Sequence, residues 1–290
     1  MKYPYLKIAK SKRVCGFHGL PTKGNAFIGV SREIDEVFIY GSLMKDSWER
    51  DTAHDKRLRK IKVREIGQCK TDKYFIAKPP DKSNSTRKIV IAPSFEACSL
   101  LHTYFEDICS YDYDQLSGCE IVFKPHPASL KRRNNQDPFF REDFFDLTKL
   151  ENLQERIGRF KRIKFILDPE TDLMSLLSAN SVLITDYSGI AFDALLLKVP
   201  VIYLFNQAKV NRYFSHKYHI DYNVTGEFIE SGGASRGYKV ENYSTAIDVA
   251  YQGIGLSSFY SKDFPRVVND LLYNPGQAIV NTTEALYETN

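Results

Sequence analysis

Residues 182–193 read VLITDYSGIAFD, and this run decides the fold. Val182–Thr185 is a short apolar strand, and Ile190–Leu197 has the composition of a helix. Ser188 and Gly189 then fall where the helix opens, where unpaired N–H groups and the helix dipole favour an anion. Gly189 lets the backbone come close to a ligand. The hydroxyls of Thr185, Tyr187 and Ser188 add donors suited to a pyrophosphate. Asp186 and Asp193 would repel a phosphate. They are expected to hold a ribose or acceptor hydroxyl, a lysine, or a helix cap. A plain N-cap at Asp186 or Ser188 explains one residue but not the hydroxyl cluster.

Outward from this run, the same grammar repeats. Strands are expected at Ile89–Ala92, Glu120–Lys124, Ile163–Leu167 and Val201–Leu204. Helices are expected at Phe95–Cys109, Arg141–Phe160 and Asp172–Ala179. Strand and helix in alternation predict α/β architecture, a doubly wound parallel sheet with helices on both faces. Nearly continuous apolar strands suit a sheet covered on both sides. The first eighty residues repeat the style on a smaller scale. Strands are expected at Val14–Phe17, Val37–Tyr40 and Lys62–Ile66, and a helix over Met44–Lys60. Lys78-Pro79-Pro80 and the polar DKSNST run after it read as a linker. The expected division is 1–80 for a partial N-terminal Rossmann-like lobe and 81–290 for a C-terminal one. Beyond Asn206 the pattern weakens. Ser231–Gly237 reads as a loop, and Thr245–Tyr251, Phe264–Leu272 and the stretch from Glu284 as helices.

Two histidines stand out. KPHP at Lys124–Pro127 follows a strand directly, and open α/β sheets bind ligands beyond the carboxyl ends of their strands. The flanking prolines stiffen the backbone that carries His126. Beside Lys124, this imidazole could donate to a phosphate or act as acid or base; a structural histidine in a tight turn is the plainer alternative. FHGLPTKG at Phe17–Gly24 places His18 after another short apolar run, with Lys23 adding positive charge. His18 and His126 hold matching places in two similar units. Two such lobes face to face would bring both imidazoles to one cleft.

The bulk composition narrows the partners. Of 290 residues, 43% are hydrophobic and 13% aromatic, enough for a substantial core. Net charge is +4, too mild and too dispersed for a dedicated nucleic-acid binder, but suited to anionic small molecules or anionic lipid. The five cysteines, Cys15, Cys69, Cys98, Cys109 and Cys119, show no paired spacing, which argues against a disulfide framework or zinc site and for a reducing compartment. MKYPYLKIAK at the start lacks the apolar centre of a secretory leader. No stretch reaches the roughly 18 apolar residues of a spanning helix. The expectation is a cytoplasmic protein that at most lies on the inner face of a membrane. Lys131-Arg132-Arg133 and Arg156–Lys164, with Phe139, Phe140, Phe144 and Phe145 between them, are the candidate for peripheral contact with anionic lipid. The favoured alternative is a solvated loop and a helix that buries its phenylalanines.

FHGLPTKG, KPHP and LITDYSGIAFD together resemble the CDP-glycerol glycerophosphotransferases, the teichoic acid polymerase family, whose pattern runs approximately WHGTPLKG, KPHP, LITDYSSIxFD. IGQCKTDKY at Ile66–Tyr74 and IAPSFE at Ile91–Glu96 are similar to that family's GxPRxD and YAPTW segments, in the right order. The matches run from Val14 to Tyr203. The resemblance implies two Rossmann-like lobes of GT-B type, the N-terminal one short. It implies a CDP-activated polyol phosphate donor, held mainly by the C-terminal lobe, and a glycan or polyol-phosphate acceptor. It implies His18 as the acceptor-side base and His126 as a contact of the donor phosphates. Lys124 and Thr185–Gly189, with Asp193, would bind the donor. Lys23, Lys70 and Ser94 are candidate phosphate or acceptor contacts. No cofactor is implied, and no metal is required.

The chain departs from the pattern in places. The family's second serine is Gly189, its tryptophan before the first His-Gly is Phe17, and its Pro-Arg pair is Cys69-Lys70, which loses the guanidinium fork. Few residues precede Val14. The lobe is then minimal, or the chain is a fragment, or another subunit completes it, and a homo-oligomer stays open. Two other functions compete. One is a GT-B glycosyltransferase that uses a nucleotide sugar for capsule or lipopolysaccharide synthesis, since a sugar donor needs the same pyrophosphate cradle. The other is a non-catalytic nucleotide-binding module, although such a module need not retain both His18 and His126.

Overall fold

The computed structural model describes residues 12–17, 27, 33–76, 87–131, 145–178, 180–218, 237–253 and 268–287. The chain divides into two compact units. One takes Met1–Pro21, Asn25–Lys78 and Val268–Asn290; the other takes Thr22–Gly24 and Pro79–Val267.

The first unit is built on three parallel strands in chain order, β1 (Val14–Cys15), β2 (Glu36–Ile39) and β3 (Lys62–Glu65). Every residue of the central strand β2 is buried. Its Glu36 carboxylate accepts from Arg64 Nε at 2.8 Å and contacts Lys12. Burial raises its pKa, but the bonds from Arg64 and Lys12 outweigh that and hold it below the ordinary glutamate value. Helix α1 (Ser42–His54) turns Met44 and Trp48 inward and ends short of the expected Lys60; Leu58–Lys60 is a separate 3₁₀ turn. A short helix, α2 (Asp72–Ile76), follows β3.

The C-terminal segment belongs to this first unit, not to the lobe expected over 81–290. The Tyr273 amide donates to the Tyr40 carbonyl at 2.5 Å, and the Ile279 amide to Asp72 Oδ2 at 2.8 Å. Asn281 Nδ2 donates to the Ile66 carbonyl at 3.2 Å. Ala278 and Ala285 are the buried residues of the last helix, Ala278–Tyr287, which starts six residues before the expected Glu284. Small residues let this helix lie close to the backbone at Gly67, where φ is +86° and an added Cβ would stand 2.3 Å from the Tyr273 carbonyl oxygen. A linear reading assigns a segment to its neighbours in sequence, and no turn signal reveals a return of this kind.

The second unit carries a six-stranded parallel sheet. Its strands are β4 (Arg87–Ile91), β5 (Cys119–Phe123), β6 (Ile163–Phe165), β7 (Ser181–Thr185), β8 (Val201–Leu204) and β9 (Tyr238–Val240). Their spatial order is β6-β5-β4-β7-β8-β9. The chain starts in the middle, walks to one edge, returns beside β4 and walks to the other edge. That is the doubly wound order, with its reversal point between β4 and β7. Register is set by alternation. Ile89, Ile91, Ile121, Phe123, Val182, Ile184, Ile202 and Leu204 join one core. Against them pack α3 (Leu100–Thr103), α4 (Phe105–Ser110) and α5 (Leu147–Ile157) through Leu100, Leu101, Ile108, Leu150, Leu153 and Ile157. Each such side chain contributes about 1.5–3 kcal/mol by burial, so truncation at Ile121 would cost about 2–5 kcal/mol. A short helix α6 (Leu173–Leu176) precedes β7, and α7 (Ile190–Leu196) lies against β7 and β8.

Other differences from expectation have local causes. The helix expected over Phe95–Cys109 is a loop followed by α3 and α4, because the Leu100 amide and the loop before it bind a side chain from β7's end, described below. α5 starts at Leu147, where Asp146 caps it by accepting from the Lys149 amide at 3.1 Å. Three of the described helices and strands were not anticipated: α2, α8 (Gln207–Tyr218) and the edge strand β9, whose three residues stop short of Glu241. Phe145 is buried against His102 and Phe105, and Arg156 binds Glu106 through both guanidinium NH groups. Those two residues of the basic-aromatic stretch serve the fold; Phe139, Phe140 and Phe144 lie outside the described residues. Among the described residues no helix is long and apolar enough to cross a membrane.

Candidate active site

In doubly wound sheets the crossovers on either side of the reversal point leave in opposite directions, and ligands bind there beyond the carboxyl ends of the strands; here that point is between β4 and β7. The segments after β4, β5 and β7 meet there, and all three belong to the second unit.

The segment after β5 carries His126. The Lys124 amide still pairs with the Ile91 carbonyl at 2.9 Å, so the segment leaves from a fixed point. Pro127 is the first residue of a 3₁₀ turn, Pro127–Leu130, and His126 is its N-cap. His126 Nδ1 accepts from the Ala128 amide at 3.1 Å. An acceptor Nδ1 puts the neutral ring's proton on Nε2, the nitrogen that can donate to a phosphate oxygen. The ring is exposed and lies 4.5 Å from that of Phe95, at 33°.

The segments after β4 and β7 are bound to each other. Asp186 is fully buried. Its Oδ2 accepts from the Ser94 amide at 2.9 Å, from Ser94 Oγ at 2.9 Å and from the Leu100 amide at 3.0 Å. Its Oδ1 accepts from the Ser94 amide at 3.2 Å. Desolvation raises the Asp186 pKa to about 6, and the bonds from Leu100 and Ser94 only partly offset it. Next to it, the Tyr187 hydroxyl donates to Glu96 Oε2 at 3.2 Å and accepts from Cys98 Sγ at 3.1 Å. Thr185 Oγ1 donates to the Ala92 carbonyl at 2.5 Å.

These contacts redistribute the expected roles. The side chains of Thr185, Asp186 and Tyr187 point into the protein and bind its own loops. Asp193 is likewise buried, within α7. Lys124, expected on a phosphate, is buried too; its Nζ donates to the Asp168 carbonyl at 2.8 Å and so ties β5's end to the segment after β6. Desolvation lowers its pKa, against a smaller opposing pull from Asp168. Of the expected donor contacts, Ser188 and Gly189 remain partly exposed at the turn between β7 and α7. Phe95 was missed. It lies within the quoted IAPSFE run, but nothing in that run marks it as a platform for a histidine in another loop.

His18 and Lys23 lie outside the described residues. The described residues on either side, Phe17 and Phe27, are bonded to others of the first unit. The Phe17 amide donates to the Tyr40 hydroxyl at 2.7 Å, and that hydroxyl donates back to the Phe17 carbonyl. The Phe27 amide donates to Asp51 Oδ2 at 2.9 Å, and the rings of Phe17 and Phe27 meet edge to face at 5.2 Å. Lys70 is exposed on the 3₁₀ turn Cys69–Thr71 of the same unit.

Residues 57–222 match the family described as CDP-glycerol:poly(glycerophosphate) glycerophosphotransferase. Among solved structures, the wall teichoic acid polymerase TagF is similar over 99% of this chain and 71% of its own, with 16% identity and a TM-score of 0.59. A variant of TagF soaked with CDPG covers 99% of this chain and 69% of its own, at 16% identity and a TM-score of 0.57. At such identity the likeness shows the fold: two Rossmann-like lobes of GT-B type, here with a small N-terminal lobe. No curated protein matches the chain.

Proposed function

The chain belongs to the CDP-glycerol:poly(glycerophosphate) glycerophosphotransferase family, and from that premise we propose that it moves glycerol phosphate or ribitol phosphate from a CDP-activated donor to a hydroxyl of a growing cell-surface polymer. The supporting observation is the exposed His126, held by Ala128 and Phe95 beyond the strand ends at the reversal point. TagF, which shares the fold, has been soaked with CDPG.

In this reading the donor pyrophosphate lies against His126 Nε2–H and the Ser188–Gly189 turn. An acceptor hydroxyl oxygen attacks the phosphorus that carries the polyol. The bond from that phosphorus to the bridging oxygen breaks, and CMP departs with the electron pair. The hydroxyl proton passes to His18. His126 stabilises the charge that develops on the leaving phosphate, so most of the acceleration comes from positioning and electrostatics. In this reading the reaction takes place in the cytoplasm, with the protein peripheral at the inner face of the membrane. With Gly189 in place of a second serine, one donor to the pyrophosphate is absent, and the backbone N–H groups carry more of the contact.

CMP release and product formation with CDP-glycerol, CDP-ribitol and UDP-sugars, each given a polyol-phosphate acceptor, test the proposal. Turnover of a CDP-polyol, reduced about tenfold or more in His18→Ala and in His126→Ala with the fold intact, is expected. Turnover of a UDP-sugar alone would establish the glycosyltransferase alternative instead.

A further inference from the structure

The interior of the reversal point contains a charge that packing does not require. Asp186 is fully buried, and its described partners, Ser94 and Leu100, are neutral donors. Among the described residues, the ionisable groups that act on it are Glu96 and Tyr187, neither of them cationic. A buried carboxylate without a cation is costly unless several hydrogen bonds hold it. Here those bonds all come from the loop after β4. The next residue in that loop is Phe95, whose ring faces His126. A continuous line of contacts thus runs from Asp186 through Ser94 and Phe95 to the exposed imidazole.

We infer that Asp186 is a positioning residue: its carboxylate holds the 94–100 loop across the reversal point and thereby sets the Phe95 platform that orients His126. This inference rests on the reading that His126 contacts the donor. It assigns Asp186 no contact with the donor itself. It also explains why the end of β7 bears a carboxylate that points inward, away from where a phosphate would lie.

The test combines a spectroscopic and a kinetic readout on the full chain. The carbon-bound imidazole protons of His126, assigned by their loss in His126→Gln, feel the ring current of Phe95 in the absence of any donor. In Asp186→Asn these resonances are expected to move toward those of a free histidine. kcat with CDP-glycerol is expected to fall between about 10- and 100-fold, the scale of a misplaced reacting group, with a smaller change in KM. Ser94→Ala, which removes a single hydroxyl donor, should shift both readouts part of the way, and the double variant should be little worse than Asp186→Asn alone. If Asp186→Asn does not fold, Ser94→Ala decides. Unchanged His126 resonances in the folded variants would overturn the inference, whatever happens to activity. Shifted resonances with a wild type that does not turn over CDP-glycerol would instead uphold the positioning role and refute the donor.

Discussion

His126 Nδ1 accepts the amide hydrogen of Ala128 at 3.1 Å, so one ring nitrogen caps a turn while the other carries the proton. The cap and the ligand contact can therefore be separated by substitution. Asparagine retains a capping acceptor and alanine does not. His126→Asn is expected to match wild-type stability within about 0.5 kcal/mol, and His126→Ala to lose about 1 kcal/mol. Both should lose about 10- to 100-fold in turnover of a CDP-polyol, the scale of one hydrogen bond to a charged group. Thermal melts and initial rates on the same preparations check this; full activity in His126→Asn would leave the imidazole with a structural role only.

Asp186 gives a pH signature. Its folded pKa of about 6 lies above the ordinary 3.8, so between those values the folded protein binds more protons than the unfolded chain. Stability from this group is therefore greatest below about pH 4, declines as pH rises to about 6, and is flat above; the loss is on the order of 3 kcal/mol. Asp186→Asn removes the titration. Its stability relative to wild type should rise as pH goes from about 4 to about 6. Parallel melting curves for the two proteins across that window would contradict a buried carboxylate.

Lys124 separates the sequence reading from the structural one. As a phosphate contact, its loss would weaken donor binding strongly. As a buried clamp on the Asp168 carbonyl, its loss should act on stability. Lys124→Met is expected to lower stability by about 1–2 kcal/mol, the cost of leaving a buried partner unsatisfied, and to change CDP affinity less than threefold or so. Denaturant melts and calorimetric titration with CDP measure the two effects.

Gly67 tests the return of the C-terminal segment to the first unit. At φ +86°, a Cβ would stand 2.3 Å from the Tyr273 carbonyl oxygen and 3.0 Å from Ala278 Cβ. Gly67→Ala is expected to lose about 2 kcal/mol or more, from backbone strain and displacement of the last helix. Faster hydrogen exchange at Ile279 and Tyr273 would accompany it, whereas wild-type exchange there would contradict the packing.

Strands β4 to β8 were legible because each lies in a short, largely apolar run, and VIYL at Val201–Leu204 is a strand with the expected ends. β9 was not, because Tyr238-Lys239-Val240 stops before Glu241, whereas the equally short β6 runs on into the apolar Ile166-Leu167. The loops of the candidate site were legible as motifs after strands. The orientations within them were not. From sequence, the two hydroxyls and the carboxylate of Thr185–Tyr187 resemble ligand contacts; in the fold they bind Ala92, Ser94, Leu100 and Glu96. Partners that lie about ninety positions away cannot be seen from local pattern. A shorter separation, about thirty positions, likewise hid the pairing of Phe95 with His126, which depends on β4 and β5 lying side by side.

A structure of the protein in complex with CDP-glycerol bears on the proposed chemistry most directly. The pyrophosphate should lie beyond β4 and β7, with an oxygen about 3 Å from His126 Nε2 and another over the Ser188–Gly189 turn. A nucleotide bound elsewhere, with His126 turned to solvent, would contradict it.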